Sequence, residues 1–127
     1  MPFVRISVPK EVSDQAIAHV SNAVHDSMVK TFNVPPLDRF QVISRHAPNE
    51  LVCAPEYLGI RHTAKVAMVQ ITCNEGRTLE MKKSLFATIA SSIAAGGVIA
   101  GADVIIHLIE VKKENWSFGN GIAQYAM

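Results

Sequence analysis

The chain has 127 residues, of which 49% are apolar and 18% are charged, and its formal net charge is +1. This composition is typical of one globular domain and excludes an intrinsically disordered chain. The small net charge argues against nucleic acid as a partner, because phosphate backbones are bound mainly through an excess of Lys and Arg. The two cysteines, Cys53 and Cys73, form no disulfide framework and no zinc-type cluster.

The first half of the chain is predicted to form a strand, a helix and a second strand. Residues 2–7 alternate between apolar and polar types, as in a half-buried strand. Ser13 is a candidate N-cap, and apolar residues then recur at helical spacing until Val34 and the prolines 35–36 end the helix. The second strand begins after Asp38.

The second half repeats this order. Residues 67–72 alternate like the first strand, Thr78 is a candidate cap, and Gly96–Gly97 end the second predicted helix. Asp103 then precedes another strand, and it lies 65 positions after Asp38, the same offset that separates Ile71 from Ile6.

The remaining segments are predicted to be less regular. The linker 47–63 is expected to be a loop with a short strand or turn near Leu51–Val52. In the tail, 112–127, Gly119 and Gly121 suggest a hairpin or an arm that reaches a neighbouring subunit.

A strand, a helix and a parallel strand form a right-handed crossover unit. Two such units, 2–46 and 67–111, predict an α/β (α+β) fold with a four-stranded mixed sheet and both helices on one face. We expect residues 1–127 to form a single domain. The opposite face of the sheet has no cover from the chain, so we predict an oligomer that packs through its sheets.

No membrane partner is expected. The N-terminus lacks the apolar core of a signal peptide, and the longest apolar stretch, 89–109, is interrupted by serines, glycines, Asp103 and His107. The sequence therefore predicts a cytoplasmic protein.

Pro2 is the first candidate for chemistry. Initiator methionine is usually removed before a small residue, and removal of Met1 would leave Pro2 with a basic secondary amine. Burial or a nearby cation favours the neutral form of such an amine, which could then act as a general base near neutral pH. Proline at this position is common, and what distinguishes Pro2 is that it begins a predicted central strand.

Arg77 and Asp38 are two further candidates. Arg77 lies in a strand-to-helix loop, where a guanidinium could bind a carboxylate through two hydrogen bonds, although it could also be a solvated loop residue. Asp38 could polarise a carbonyl, orient water or hold a prolyl ammonium. Because Asp103 holds the equivalent place in the second half, a plain turn role for both aspartates is equally well supported.

Other residue types are less specific. The only tryptophan, Trp116, and the nearby Phe118 could wall a pocket or anchor the tail on a neighbouring subunit, and the two roles are compatible. The five histidines include no pair at i, i+4 and no H-E-x-x-H pattern, so we predict no metal site.

Several motifs occur together in this chain. They are Pro2 at the start of a strand, the repeated β-α-β order, and the segments 34–35, 38–39, 41–42, 74–77 and 114–119. Together they resemble the tautomerase superfamily over essentially the whole chain, and most closely its malonate semialdehyde decarboxylase branch.

The resemblance implies a trimer of β-α-β-β-α-β subunits without a cofactor. It places the catalytic proline of the family at Pro2 and its aspartate at Asp38. The decarboxylase branch has two arginines, separated by one residue, in the loop after the third strand. In this chain Asn74 and Gly76 occupy those places, and the arginine follows one position later at Arg77.

We therefore predict a homotrimeric keto–enol tautomerase that acts on a 2-oxo acid or an enol such as phenylpyruvate, with the amine of Pro2 as the general base. The predicted site residues are catalytic Pro2, Asp38 and Arg77, and substrate-binding Arg77, Asn74, Trp116 and Phe118. Two alternatives remain open: a decarboxylase or hydratase like the resembled branch, and a non-catalytic oligomeric module that binds a small metabolite.

Overall fold

A computed structural model describes residues 2–126 of the chain. The main elements are β1 Phe3–Pro9, α1 Asp14–Phe32, β2 Gln41–His46, β3 Glu56–Tyr57, β4 Ile60–Arg61, β5 Ala67–Asn74, α2 Leu79–Ala94 and β6 Val104–Val111. Short 3₁₀ turns lie at Gly101–Asp103, Lys113–Asn115 and Gln124–Ala126.

Four strands form one mixed sheet in the order β2-β1-β5-β6. β1 is parallel to β2, β5 is parallel to β6, and the two central strands β1 and β5 are antiparallel. The predicted pair of β-α-β units in a four-stranded mixed sheet is therefore confirmed.

Both helices lie on the same face of the sheet, as predicted. The strand residues that point toward the helices, such as Val4, Ile6 and Ile71, are at most 1% exposed. They share one apolar core with Val24 of α1 and Leu85 of α2. Burial of this alternating set stabilises the layered arrangement and fixes the register of the central strands.

Local signals set the helix ends. The hydroxyl of Ser13 accepts a hydrogen bond from the Ala16 amide at 3.1 Å, and that of Thr78 accepts one from the Met81 amide at 3.2 Å, so both predicted caps are confirmed. α1 ends at Phe32, before the predicted stop at Val34, because Asn33 adopts a left-handed conformation with φ 56°.

The linker differs in part from the prediction. A turn closes where the Glu50 amide donates to the Ala47 carbonyl, next to the predicted Leu51–Val52. The short strands lie further along, at β3 and β4, because Leu58 and Gly59 have positive φ and close a two-residue hairpin.

The tail folds back on its own chain without strands between residues 112 and 126, so the predicted hairpin is wrong, and the alternative of an arm that reaches a neighbouring subunit stays a prediction. The side chain of Gln124 accepts a hydrogen bond from the Phe118 amide and donates one to the Gly119 carbonyl, at 2.9 and 3.2 Å. Gly119 and Gly121 have positive φ and allow the chain to turn here without strand pairing.

The face of the sheet opposite the helices carries a mixture of apolar and polar side chains. Strand alternation and register place on it Phe3, Arg5, Ser7, Val42, Ser44, His46, Met68, Gln70, Thr72, Ile105, His107 and Ile109. Within residues 2–126, neither helix has the length and apolar character required to cross a bilayer.

Candidate active site

The strand directions bring distant parts of the sequence to one edge of the sheet. Because the central strands are antiparallel, the starts of β1 and β2 lie at the same edge as the ends of β5 and β6. The predicted residues Pro2, Asp38, Asn74, Arg77 and Trp116 therefore gather at this edge, although they span most of the chain.

Pro2 is buried and directly precedes β1. The amide of Val4 donates a 3.0 Å hydrogen bond to the carbonyl of Phe40, so the start of β1 is held beside the segment that follows Asp38. Pro2 thus lies buried at the start of a central strand, and the predicted position of Pro2 at a strand start is confirmed.

Asp38 closes a turn and has one free buried oxygen. Its amide donates to the Pro35 carbonyl at 2.9 Å, and its Oδ1 atom has no hydrogen-bond partner within residues 2–126. Burial raises the pKa of the Asp38 carboxyl above its ordinary value, and nearby positive charges, Arg77 and His25 among them, act in the opposite direction. The free oxygen is available to accept a hydrogen bond from a bound molecule.

Arg77 is tied to the end of the first helix. Its Nη1 atom donates to the Asn74 carbonyl at 3.1 Å and its Nη2 atom donates to the Phe32 carbonyl at 3.3 Å. The carbonyl of Phe32, the last residue of α1, is one of those that lack an intrahelical partner. The guanidinium also lies over the Phe32 ring at 5.0 Å, which leaves its other N–H groups for a ligand.

The backbone at Gly76 explains why the arginine follows it. Gly76 has φ +120°, a conformation that side chains other than glycine rarely adopt. An arginine at position 76 would therefore strain this loop, whereas Arg77 can contact both Asn74 and Phe32 without strain.

Asn74 and Trp116 form a direct pair. The indole Nε1 atom of Trp116 donates to Oδ1 of Asn74 at 2.7 Å, and Asn74 is 7% exposed. Asn74 is a predicted substrate-binding residue; its side-chain oxygen is occupied by Trp116, and the hydrogen bond orients the tryptophan ring.

Aromatic side chains line a cleft of about 280 Å³ at the same edge. Trp116 and Phe118 stack with ring centroids 5.3 Å apart, and Phe118 lies 5.6 Å from Phe40. Phe3 and Ser117 complete the lining. Trp116 and Phe118 thus form part of an apolar cleft wall, and a role for this cleft in substrate binding stays a prediction.

Two residues of this region were not singled out in the sequence. The Nε2 atom of His25 lies 2.8 Å from the carbonyl of Pro36, and Tyr125 packs edge-on against Phe118 at 5.6 Å. Burial raises the pKa of the Tyr125 hydroxyl, and the charge of Asp38 adds to this effect. His25 falls on the apolar face of α1, a signal that could have found it, whereas Tyr125 lies in the irregular tail.

The two equivalent aspartates have different roles. Asp103 lies at the opposite edge of the sheet, where its carboxylate accepts hydrogen bonds from the amide and the hydroxyl of Thr63 at 2.8 and 2.5 Å. Asp103 is buried and fully engaged, whereas Asp38 closes its turn through its backbone amide and has one carboxyl oxygen without a partner among the described residues.

Comparison with known proteins gives a consistent result. A family model described as "Tautomerase enzyme" matches residues 38–119, and a second model with the same description matches residues 2–61. The chain belongs to the tautomerase family. The predicted family is thus confirmed, and the chain is an enzyme of the isomerase type, so the alternative of a non-catalytic module is not supported.

Individual tautomerase relatives cover nearly the whole chain. The probable tautomerase YusQ of Bacillus subtilis (strain 168) is 38% identical over 98% of this chain and 98% of its own length. FG41 malonate semialdehyde decarboxylase, in a crystal structure inhibited by 3-bromopropiolate, is 36% identical to this chain in sequence. The two structures match with a TM-score of 0.91, over 97% of this chain and 93% of that one. A second malonate semialdehyde decarboxylase structure is 28% identical, with a TM-score of 0.89 over 97% and 95% of the two chains.

We predict that Asp38→Asn increases the stability of this tautomerase-family chain at about pH 7. Because the pKa of Asp38 is raised in the folded state, the native protein retains a proton that the unfolded chain releases. Stability is therefore lost as the pH rises through the interval between the two values, and an amide avoids this loss.

Urea unfolding across the acidic and neutral range tests this expectation. The gain from Asp38→Asn should shrink as the pH falls below the ordinary carboxyl range. Asp103→Asn is the matched control and should destabilise, because it replaces a carboxylate that holds Thr63. A lower stability of Asp38→Asn than of the wild type at neutral pH would contradict the assignment.

Proposed function

We propose that the enzyme is a cofactor-independent keto–enol tautomerase of 2-oxo acids and their enols, with the amino group of Pro2 as general base. The proposal is supported by one observation above all. Buried Pro2, the free oxygen of Asp38 and the anchored guanidinium of Arg77 lie at the same edge of the sheet as an aromatic cleft.

Removal of Met1 would convert the peptide nitrogen of Pro2 into a secondary amine. Burial of Pro2 and the positive charge of Arg77 at the same edge favour the neutral form of this amine, whereas the carboxylate of Asp38 favours the ammonium form. A neutral amine can take the proton of the enol hydroxyl, and the ammonium that results can return a proton to the neighbouring carbon, so the keto acid forms without change of oxidation state and the amine is regenerated.

Arg77 and Asp38 would assist this transfer. The N–H groups of Arg77 that its backbone contacts leave free can bind the substrate carboxylate and draw negative charge toward it as the enolate develops. The free Oδ1 of Asp38 can accept a hydrogen bond from the prolyl ammonium or from the substrate hydroxyl. Trp116 and Phe118 would contact the apolar part of a substrate such as phenylpyruvate.

Decarboxylation of malonate semialdehyde, or hydration of an acetylenic acid, is the alternative function. It is favoured by the 36% identity to a malonate semialdehyde decarboxylase over nearly the full chain. In the decarboxylation, the bond to the carboxylate carbon breaks and carbon dioxide leaves. The ammonium form of Pro2 then protonates the enolate that remains. Asp38 would then place the substrate or a water molecule.

We further propose a homotrimer, in keeping with the assembly that the sequence resemblance implies. The uncovered face of the sheet supports this because it exposes apolar side chains, such as Val42 at 40% and Ile109 at 36%, that a neighbouring copy would cover. The cytoplasm is the location we propose for this assembly.

We predict that Pro2→Ala lowers kcat/KM for phenylpyruvate ketonisation by about 10² to 10⁴-fold, the usual contribution of a positioned base. Alanine retains a primary amine after removal of Met1 but lacks the basicity and fixed ring of proline. Stopped-flow absorbance gives the rate, and intact mass establishes the processing of each variant. Pro9→Ala, at the other end of β1, is the control and should retain activity. Unchanged turnover by Pro2→Ala would refute the mechanism.

The alternative function has a direct test. Purified enzyme should convert the enol of phenylpyruvate faster than it releases carbon dioxide from malonate semialdehyde, because a single arginine in a shifted position follows β5. Coupled detection of carbon dioxide measures the second reaction. Carbon dioxide release with the higher kcat/KM would establish the decarboxylase instead.

The proposed trimer predicts a mass three times that of the 13.8 kDa chain in light scattering. Ile105→Lys, on the uncovered face, should lower this mass because it introduces a charge where the sheets would pack. Ala18→Lys, on the exposed side of α1, is the control and should leave the mass unchanged. A monomeric wild-type protein would exclude sheet-mediated assembly.

A further inference from the structure

His25 is a buried polar residue of α1 that the proposed mechanism does not use. It is 4% exposed and lies about two turns before the end of the helix. Its Nε2 atom is 2.8 Å from the carbonyl oxygen of Pro36. Because a carbonyl oxygen can only accept, Nε2 must carry the proton, and in the neutral ring Nδ1 is then an acceptor.

This hydrogen bond is the only polar contact of the His25 ring with the described residues, since its Nδ1 atom is buried without a partner among them. An imidazole in an apolar core loses its hydration, and a single hydrogen bond compensates only part of that cost. A histidine at this position is therefore less favourable for stability than an apolar side chain would be. This indicates that the hydrogen bond to Pro36 has a role other than stability.

The hydrogen bond holds the turn that presents Asp38. Pro36 precedes Asp38 by two residues, and the intervening Leu37 is 97% exposed, so apolar packing does not fix the middle of this turn. On the far side of Asp38, Arg39 donates to Ser21 and Asn22 of α1 at 2.7 and 2.8 Å. Helix α1 thus anchors the backbone on both sides of Asp38, before it through His25 and after it through Arg39.

The side chain of Asp38 depends on this anchoring. Its Oδ1 atom has no hydrogen bond to another described residue, so the direction of the carboxyl is set by the backbone that carries it. A movement of the turn by about 1 Å would displace the carboxyl of Asp38 by a similar distance. Displacements of this size in a group that assists proton transfer can lower the rate by about 10²-fold.

We propose that His25 is a positioning residue, which holds the Pro36 carbonyl and thereby directs the carboxyl of Asp38 toward the substrate. This role rests on the proposed function, in which Asp38 assists proton transfer. The charged and titratable groups that face this region are Asp38 itself, Arg77 from the loop before α2 and Tyr125 from the tail.

Two substitutions separate the hydrogen bond from the ring. His25→Gln places an amide N–H close to the position of Nε2 and can keep the bond to Pro36, whereas His25→Leu fills the space without a donor. We expect His25→Leu to lower kcat/KM for enol ketonisation by about tenfold or more. His25→Gln should restore most of the activity.

His19 is the matched control. It lies on the same helix, and its Nε2 atom is also 2.8 Å from a backbone carbonyl, that of Ser92 in α2, away from the candidate site. His19→Leu removes the same kind of side-chain hydrogen bond to a backbone carbonyl, but it should leave kcat/KM and its pH profile unchanged. Equal kinetic effects of the two leucine variants would overturn the proposal, because both would then act through stability alone.

A double-mutant cycle tests whether His25 acts through Asp38. In an Asp38→Asn background, His25→Leu should change kcat/KM by less than about twofold, because the group that it positions is gone. A full loss in that background would contradict the proposal.

A readout without activity keeps this inference separate from the proposed function. In ¹³C NMR titrations, the carboxyl midpoint of Asp38 should move in His25→Leu, stay in place in His19→Leu, and lie closer to the wild-type value in His25→Gln, which also lacks the imidazole but keeps a donor for Pro36. Equal midpoints in His25→Leu and His25→Gln would mean that only the imidazole charge acts on Asp38. If the wild type fails to ketonise enols, the proposed function fails, and this titration still decides the role of His25: an unchanged midpoint in His25→Leu overturns it.

Discussion

The antiparallel pairing of β1 with β5 is the constraint on which the candidate site depends. Each β-α-β unit alone would place its loops at the two ends of a two-stranded sheet. Because the units join through antiparallel central strands, the start of the first unit meets the end of the second. Pro2 and Asp38 come from one unit, and Asn74, Arg77 and Trp116 come from the other or follow it. The buried row of Val4, Ile6, Val69 and Ile71 fixes this register, so core packing and site geometry have the same origin.

The two edges of the sheet are equivalent in topology but different in chemistry. At the 65-residue offset, Pro2 corresponds to Ala67, Asp38 to Asp103 and Arg77 to Val12. The second edge therefore has a small apolar residue, an aspartate fully engaged by Thr63, and a buried valine. The first edge leaves polar capacity unused: a free oxygen on Asp38 and free N–H groups on Arg77. Buried donors and acceptors without hydrogen-bond partners lower the stability of the fold. Such groups are therefore expected mainly where a ligand can supply the missing partner.

Much of this arrangement could be predicted from the sequence, because its signals are local. Alternation in residues 2–7 and 67–72, the caps Ser13 and Thr78, and the constant offset indicated the elements, and the pairing rules for β-α-β units then gave the sheet. The convergence of Pro2, Asp38, Arg77 and Trp116 followed from the order of the strands together with the family resemblance.

The rest depended on contacts that no local pattern encodes. The partner of Asn74 is a tryptophan 42 positions away, and the position of Tyr125 depends on a tail held by Gln124 rather than by strand pairing. The β3–β4 hairpin was missed because its turn uses Leu58 with a positive φ, where asparagine or glycine is the usual signal. Nothing in the sequence singles out His25, because a lone histidine on a helix is more often a satisfied core residue than a functional one.

Pro2 and Ala67 hold equivalent places in the two β-α-β units, but the chemistry of their backbone nitrogens cannot be the same. A polypeptide has one amino terminus, and Ala67 is bonded to its neighbours through amides on both sides, so its nitrogen has no basic lone pair. No side-chain substitution at the second edge can reproduce an amine of that kind. Repetition of the strand–helix–strand unit therefore repeats the frame of the fold, but the amine chemistry proposed for Pro2 has no counterpart at Ala67.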